Sequence, residues 1–153
     1  MAIEDVRNYF RKFNIEDKIL EFEQSSATVD LAAMALNVEP DRIAKTLSFK
    51  NDEGAILLVT SGKSRVDNKK FKSEFGYKAK MLTADEVINF TGHQIGGVCP
   101  FGLKNSMKVY LDISLKKYDT VYPACGSGNS AIELTWLELE KYSGCYRWID
   151  VCK

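Results

Sequence analysis

The sequence predicts an α/β chain of the α+β type, in which a mixed, mostly antiparallel sheet carries helices at its periphery. Three observations support this. Many short β-branched and aromatic runs are separated by tight turns, helices with recognisable caps interrupt them, and the strict strand–helix alternation of a doubly wound fold is missing. At 153 residues the chain can bury roughly 70% of its unfolded surface and is expected to form one domain spanning 1–153.

The elements follow from local pattern. Residues 2–13 read as an amphipathic helix, with Val6, Tyr9, Phe10 and Phe13 at helical spacing. Lys18–Glu23 reads as a strand. In the stretch Asp30–Phe49, Leu31, Ala32, Ala35 and Leu36 share one side of a short helix that Asn37 can end in a left-handed conformation. Pro40 then opens a turn where its missing N–H costs nothing, and Ile43, Thr46, Leu47, Ser48 and Phe49 have the content of a buried strand. Asn51–Gly54 is a hairpin turn into Ala55–Thr60, whose nearly all-apolar AILLVT suits the centre of a sheet.

Beyond the polar loop Ser61–Arg65, Asp67 caps a helix that runs to Phe75 and stops at Gly76. Lys78–Leu82 reads as a strand. Thr83 with Glu86 forms a capping box for a helix ended by Gly92, and Thr135 with Glu138 repeats the device for WLELEKY, closed by Gly144. Further strands are expected at 94–99, 107–113, 120–125, 129–134 and 146–151.

Composition narrows the function. The chain is 45% hydrophobic and 27% charged with formal net charge zero, so bulk charge does not announce a nucleic-acid binder. Between Lys63 and Lys80, however, seven bases stand against two acids, a patch that reads either as a solvated face or as a phosphate-attracting surface. No run reaches the ~20 apolar residues of a membrane helix, and MAIEDVRNYF lacks the basic start and apolar core of a signal peptide; a cytoplasmic location is expected. With one histidine and four widely separated cysteines, no metal or cofactor is expected, and the thiols are expected to be reduced.

Three stretches carry candidate chemistry. Lys45 falls where the turn meets the strand, a junction from which an ammonium group can project into a cleft. Gly96 and Gly97, between β-branched residues, signal either a bulged strand entering a turn at Pro100 or backbone N–H groups close to a ligand's carbonyl oxygen. In the loop Ala124–Ser130, Ser127, Gly128, Asn129 and Ser130 could wrap a phosphate or ribose, although such loops are commonly mere turns. His93 with Cys99 suggests a cysteine hydrolase only weakly, since six residues across a loop fix no geometry.

The segment from Asn37 to Leu47, N-V-x-P-x-x-I-A-K-T-L, followed by GGVCPFG at 96–102 and a glycine-containing loop before Ile132-Glu133-Leu134, resembles the YbaK family of aminoacyl-tRNA editing domains. That group includes Cys-tRNA(Pro) deacylases and the editing domain of bacterial prolyl-tRNA synthetases. The resemblance runs from about Ile19 to Leu139. It implies a curled, barrel-like mixed sheet and a deacylase that positions the ester of a mischarged tRNA carrying a small amino acid (Ala, Cys, Ser or Thr) for substrate-assisted hydrolysis. Lys45 would be the catalytic residue, the backbone of Gly96 and Gly97 would line the aminoacyl pocket, and Thr46 and Pro100 would lie beside it. Phe22 and Thr28 would form the opposite wall. The partners implied are the aminoacylated acceptor end of tRNA and possibly an aminoacyl-tRNA synthetase. Where some relatives carry an acid just before I-E-L, this chain has Ala131, which leaves a non-catalytic tRNA- or nucleotide-binding module as the alternative.

Overall fold

The computed structural model describes residues 2–153. The expected hairpin lies at its centre: β2 (Ile43–Asn51) and β3 (Gly54–Ser61) pair antiparallel from Ala44↔Ser61 to Asn51↔Gly54. β4 (Lys108–Asp112) runs parallel to β3, and β8 (Arg147–Ile149) parallel to β4. On the other side β5 (Thr120–Pro123) runs parallel to β2, and β7 (Leu134–Thr135) antiparallel to β5. The order β7-β5-β2-β3-β4-β8 makes a curled, half-barrel sheet, with a separate antiparallel pair of β1 (Leu20–Glu21) and β6 (Ser130–Ala131).

The sheet is mixed, as expected, but three of the five pairings in its six-stranded part are parallel. For β3 and β4 the cause is the helices between them. α3 (Asn68–Phe75) and α4 (Ala84–Thr91) separate β3 from β4, and α5 (Trp136–Ser143) separates β7 from β8. A crossover of that length returns the chain in the same direction.

β3 is buried on both faces, which is why AILLVT has no polar alternation. Leu57 and Val59 pack with Phe10, Phe101 and Leu111, whereas Ile56 and Leu58 face Phe49, Phe71 and Tyr110. α1 (Ala2–Arg11) closes the first core with Val6 and Phe10, both fully buried, the Phe10 and Phe101 rings 4.8 Å apart. α2 (Val29–Leu36) is capped by Thr28, whose Oγ1 accepts from the Leu31 N–H at 3.2 Å, and ends at Asn37 with φ 57°. Its inward face is rotated from the expected one: Ala32 and Ala33 pack on Ile43, and Leu31 is exposed. Both capping boxes form, and Gly76, Gly92 and Gly144 end α3, α4 and α5 as expected.

Several expected strands are shorter or absent. Residues 94–99 instead hold a 3-10 turn at Ile95–Gly97, since paired glycines offer a sheet no side chains to pack. Lys78–Leu82 contributes only the bridge Phe49↔Met81, 129–134 divides into β6 and β7, and Lys18–Glu23 narrows to β1. Among the described residues no helix is long and apolar enough to cross a membrane.

Candidate active site

A cleft opens where two parallel strands part. β5 pairs with β2 only at Ile43↔Tyr122 and Ala44↔Pro123, after which its chain turns away into residues 124–129 while β2 continues. Between Ala44 and the Phe49↔Met81 bridge, this edge of β2 therefore has no strand beside it. The gap is a cavity of about 110 Å³, lined by Lys45, Thr46, Ala124 and Ala131 and closed by Ser26, Thr28 and Gly96. That volume corresponds to roughly three or four waters.

Two hydroxyls define its chemistry. Ser26 and Thr46 are 7% and 8% exposed, and neither Ser26 Oγ nor Thr46 Oγ1 has a hydrogen-bond partner among the described residues. Leaving a buried hydroxyl unpaired costs about 1–3 kcal/mol. Both residues line the cavity.

Lys45 is half-buried, and its Nζ donates to the Ser64 carbonyl, which lies outside the cavity wall. The ammonium is thus turned to a carbonyl outside the cavity lining. Burial holds it below the ordinary lysine range; the Arg65 charge acts in the same direction, and Cys152 and Asp41 oppose it. Asp41 in turn anchors the Ser64 loop by accepting from the Lys63 N–H at 3.0 Å. Burial pushes the Asp41 carboxyl up, but that hydrogen bond, with Ser61, Lys117 and Tyr118, holds it below its usual value.

The paired glycines divide their work. Gly96 lines the cavity against Ala27, where an added Cβ would approach the Ala27 Cβ to 2.8 Å, and its N–H has no acceptor among the described residues. Gly97 is packed against the 126–127 backbone, with 2.5 Å from an added Cβ to the Ser127 nitrogen, and its N–H already donates to the Gln94 carbonyl. Of the two, only Gly96 has an N–H free to meet an oxyanion.

Lys45, Thr46, Thr28, Gly96 and Ser130 thus meet at one cavity, and Phe22, Gly97, Pro100, Ser127, Gly128 and Asn129 do not line it. Phe22 and Asn129 form a reciprocal clasp: the Phe22 N–H donates to the Asn129 carbonyl at 2.8 Å, and Asn129 Nδ2 donates to the Phe22 carbonyl at 2.9 Å. Gly128 accepts from the Ser26 N–H at 2.7 Å, and Ser127 Oγ lies within hydrogen-bonding distance of Asn129 Oδ1 and Ser130 Oγ. These residues brace the wall that carries Ser26 and Thr28. Pro100 lies on a different, open groove of about 1020 Å³ between α1 and residues 102–107, whose lining includes none of the unpartnered buried side-chain atoms. Ser26, Tyr122, Ala124 and Ser64 were not legible as site residues, because long-range packing alone brings them here.

The His93–Cys99 pair is core. Both are fully buried, His93 Nε2 lies 2.8 Å from the Phe101 carbonyl, and burial pushes the Cys99 thiol up to about 12. A thiol so protonated and inaccessible is no nucleophile. Among the described residues no group of three or more His, Cys, Asp or Glu is arranged to hold a metal.

Fold and cavity together define a small mixed-sheet protein with a pocket lined by a lysine and by hydroxyl-bearing residues. Residues 23–142 match the aminoacyl-tRNA editing domain family, and the chain belongs to it. It is 53% identical to the uncharacterized protein YwhH of Bacillus subtilis (strain 168), over 100% of this chain and 98% of that one. EbsC of Enterococcus faecalis (strain ATCC 700802 / V583), a candidate Cys-tRNA(Pro)/Cys-tRNA(Cys) deacylase, is 29% identical over 74% of this chain and 70% of its own. A crystal structure of a candidate trans-editing enzyme for prolyl tRNA synthetase superimposes with a TM-score of 0.89 at 31% identity, covering 99% of this chain and 97% of that one.

Proposed function

We propose that the protein is a free-standing aminoacyl-tRNA deacylase, a single editing domain over 1–153 that hydrolyses the ester of a tRNA mischarged with a small amino acid such as Ala, Cys, Ser or Thr. The observation that carries this reading is the cavity itself. Lys45 lines it, with its ammonium fixed on the Ser64 carbonyl outside the lining, Gly96 brings a backbone N–H without an acceptor to its wall, and two residues with unpartnered hydroxyls line a volume suited to a small side chain.

An aminoacyl ester is already activated, so the reaction needs positioning and charge stabilisation more than a protein nucleophile. Lys45 holds the carbonyl oxygen or the adjoining terminal phosphate by charge. The Gly96 N–H meets the oxyanion as the tetrahedral centre forms. The attacking water is oriented by the substrate's own ribose hydroxyl, and Ser26 and Thr46 pair with polar atoms of the aminoacyl group. The pocket discriminates mainly by volume, so selectivity among small amino acids is modest.

The tRNA reaches the site through its acceptor end, and Lys63 and Arg65, flanking Ser64, are the bases of the Lys63–Lys80 stretch placed to meet its phosphates. Lys80 belongs elsewhere: its carbonyl accepts from the Lys50 N–H, five residues along β2 from Lys45 and about 16 Å away at strand rise. On this reading an aminoacyl-tRNA synthetase, prolyl-type by analogy with the relatives, is the partner that supplies mischarged substrate, and the cytoplasm is the proposed place of the reaction.

A second reading, a non-catalytic tRNA- or nucleotide-binding module, draws on Ala131, which leaves the cavity wall without the acid some relatives carry. A deacylation assay on a panel of correctly and incorrectly charged tRNAs separates the two. The deacylase reading expects turnover of one or a few mischarged species. Binding of an aminoacyl-adenosine analogue, with no turnover on any tRNA, would favour the module.

A further inference from the structure

The Lys45 ammonium is held by a main-chain carbonyl, so its position is only as firm as the loop that presents Ser64. That loop runs from Ser61 to Asp67, and its two ends converge on one side chain. Asp112, at the end of β4, is fully buried. Its Oδ2 accepts from the Ser114 N–H at 2.9 Å, and Ser114 Oγ accepts from the Ser61 N–H at 3.1 Å. Its Oδ1 accepts from the Val151 N–H at 2.9 Å, and the Val151 carbonyl accepts from the Asp67 N–H at 2.8 Å. Within the loop, Val66 bridges to Cys152 and the Lys153 N–H donates to the Arg65 carbonyl at 2.9 Å.

We propose that Asp112 is a positioning residue for Lys45: one buried carboxylate ties both ends of the loop whose Ser64 carbonyl receives the ammonium. This rests on the reading of Lys45 as the residue that acts on the ester. A purely structural part for Asp112 is the simpler alternative, and any buried carboxylate with two backbone donors could fill it. What separates the two is the path, since both chains of hydrogen bonds end on the loop that holds Lys45.

The test uses Asp112→Asn, which keeps the volume but sets an amide NH₂ against one of two backbone N–H donors. Ser114→Ala serves as the milder variant, cutting only the tie to Ser61. In protein labelled with ¹⁵N at lysine Nζ, the Lys45 signal is identified by its loss in Lys45→Arg. The proposal expects Asp112→Asn to unfold cooperatively, to shift or broaden the Lys45 signal selectively, and to lower kcat by about tenfold or more with KM within about twofold. Ser114→Ala should act in the same direction and less. An unchanged Lys45 signal in folded Asp112→Asn would overturn the proposal, as would a kcat that falls only with the folded fraction. If no aminoacyl-tRNA is turned over by the unaltered protein, the deacylase reading fails, yet the lysine signal still decides whether Asp112 positions Lys45.

Discussion

Two clusters in this molecule carry residues with catalytic reputations, both leave buried polar atoms unpartnered, and they differ in whether a cavity lies beside those atoms. Around His93 and Cys99 the ring Nε2 and the thiol both turn to the Phe101 carbonyl; His93 Nδ1 lacks a partner as well, but the neighbourhood is aromatic and aliphatic core with no cavity against it, and burial pushes the thiol up to about 12. Around Lys45 the fold stops short. β5 ends two residues into its pairing with β2, two buried hydroxyls lack partners, and the ammonium is held on the Ser64 carbonyl. Reactive residue types therefore say less about a site than unfinished hydrogen bonding beside an opening.

That contrast can be pressed at several points. Ser26→Ala should have the largest effect of these, lowering kcat/KM on the preferred substrate about tenfold while leaving stability unchanged or raising it by up to about 1 kcal/mol. Loss of both activity and stability would mean that Ser26 serves the fold, as His93 does. Thermal unfolding beside steady-state kinetics decides it.

Arg65→Gln sharpens the comparison through charge. Burial does most to hold the Lys45 ammonium below its ordinary range, and the Arg65 charge adds to that. If the charged lysine is the active form, activity is full below its pKa and falls as pH rises through it. Removing Arg65 raises that pKa, so the alkaline limb of the pH–kcat profile should move to higher pH. A limb that stays in place or moves down would assign it to another group.

The smallest effect is expected at the buried cluster. Cys99→Ala should leave the deacylation rate within about twofold and cost about 1 kcal/mol of stability, as the loss of a small packed side chain does.

Much of the scaffold was legible because its signals are local. Thr83 with Glu86, Thr135 with Glu138, Asn37 and the Asn51–Gly54 turn each act within a few residues of themselves, and AILLVT announced a strand buried on both faces. The 3-10 turn at Ile95–Gly97 was misread as strand because Ile95 and Val98 have strand-like side chains and the glycines between them set the backbone. Lys45, Thr46, Thr28 and Gly96 were named from the sequence and do line the cavity, the first named by its place at a turn–strand junction. Ser26 and Asp112 were not. An unpartnered hydroxyl, or a carboxylate spanning two ends of a distant loop, exists only once remote segments are packed together. Phe22 and Asn129, the first named from the resemblance and the second from its loop, are joined to each other through the Phe22 backbone and do not line the cavity.

The comparison of the two clusters comes to a single experiment, single-turnover deacylation of one mischarged tRNA by the unaltered protein, Lys45→Ala and Cys99→Ala side by side, each checked for folding. The unaltered protein and Cys99→Ala should release the amino acid at similar rates, and Lys45→Ala should be slower by about a hundredfold or more. A Lys45→Ala protein that keeps its rate, or a folded Cys99→Ala protein that loses it, would contradict the assignment of the chemistry to the β2–β5 cavity.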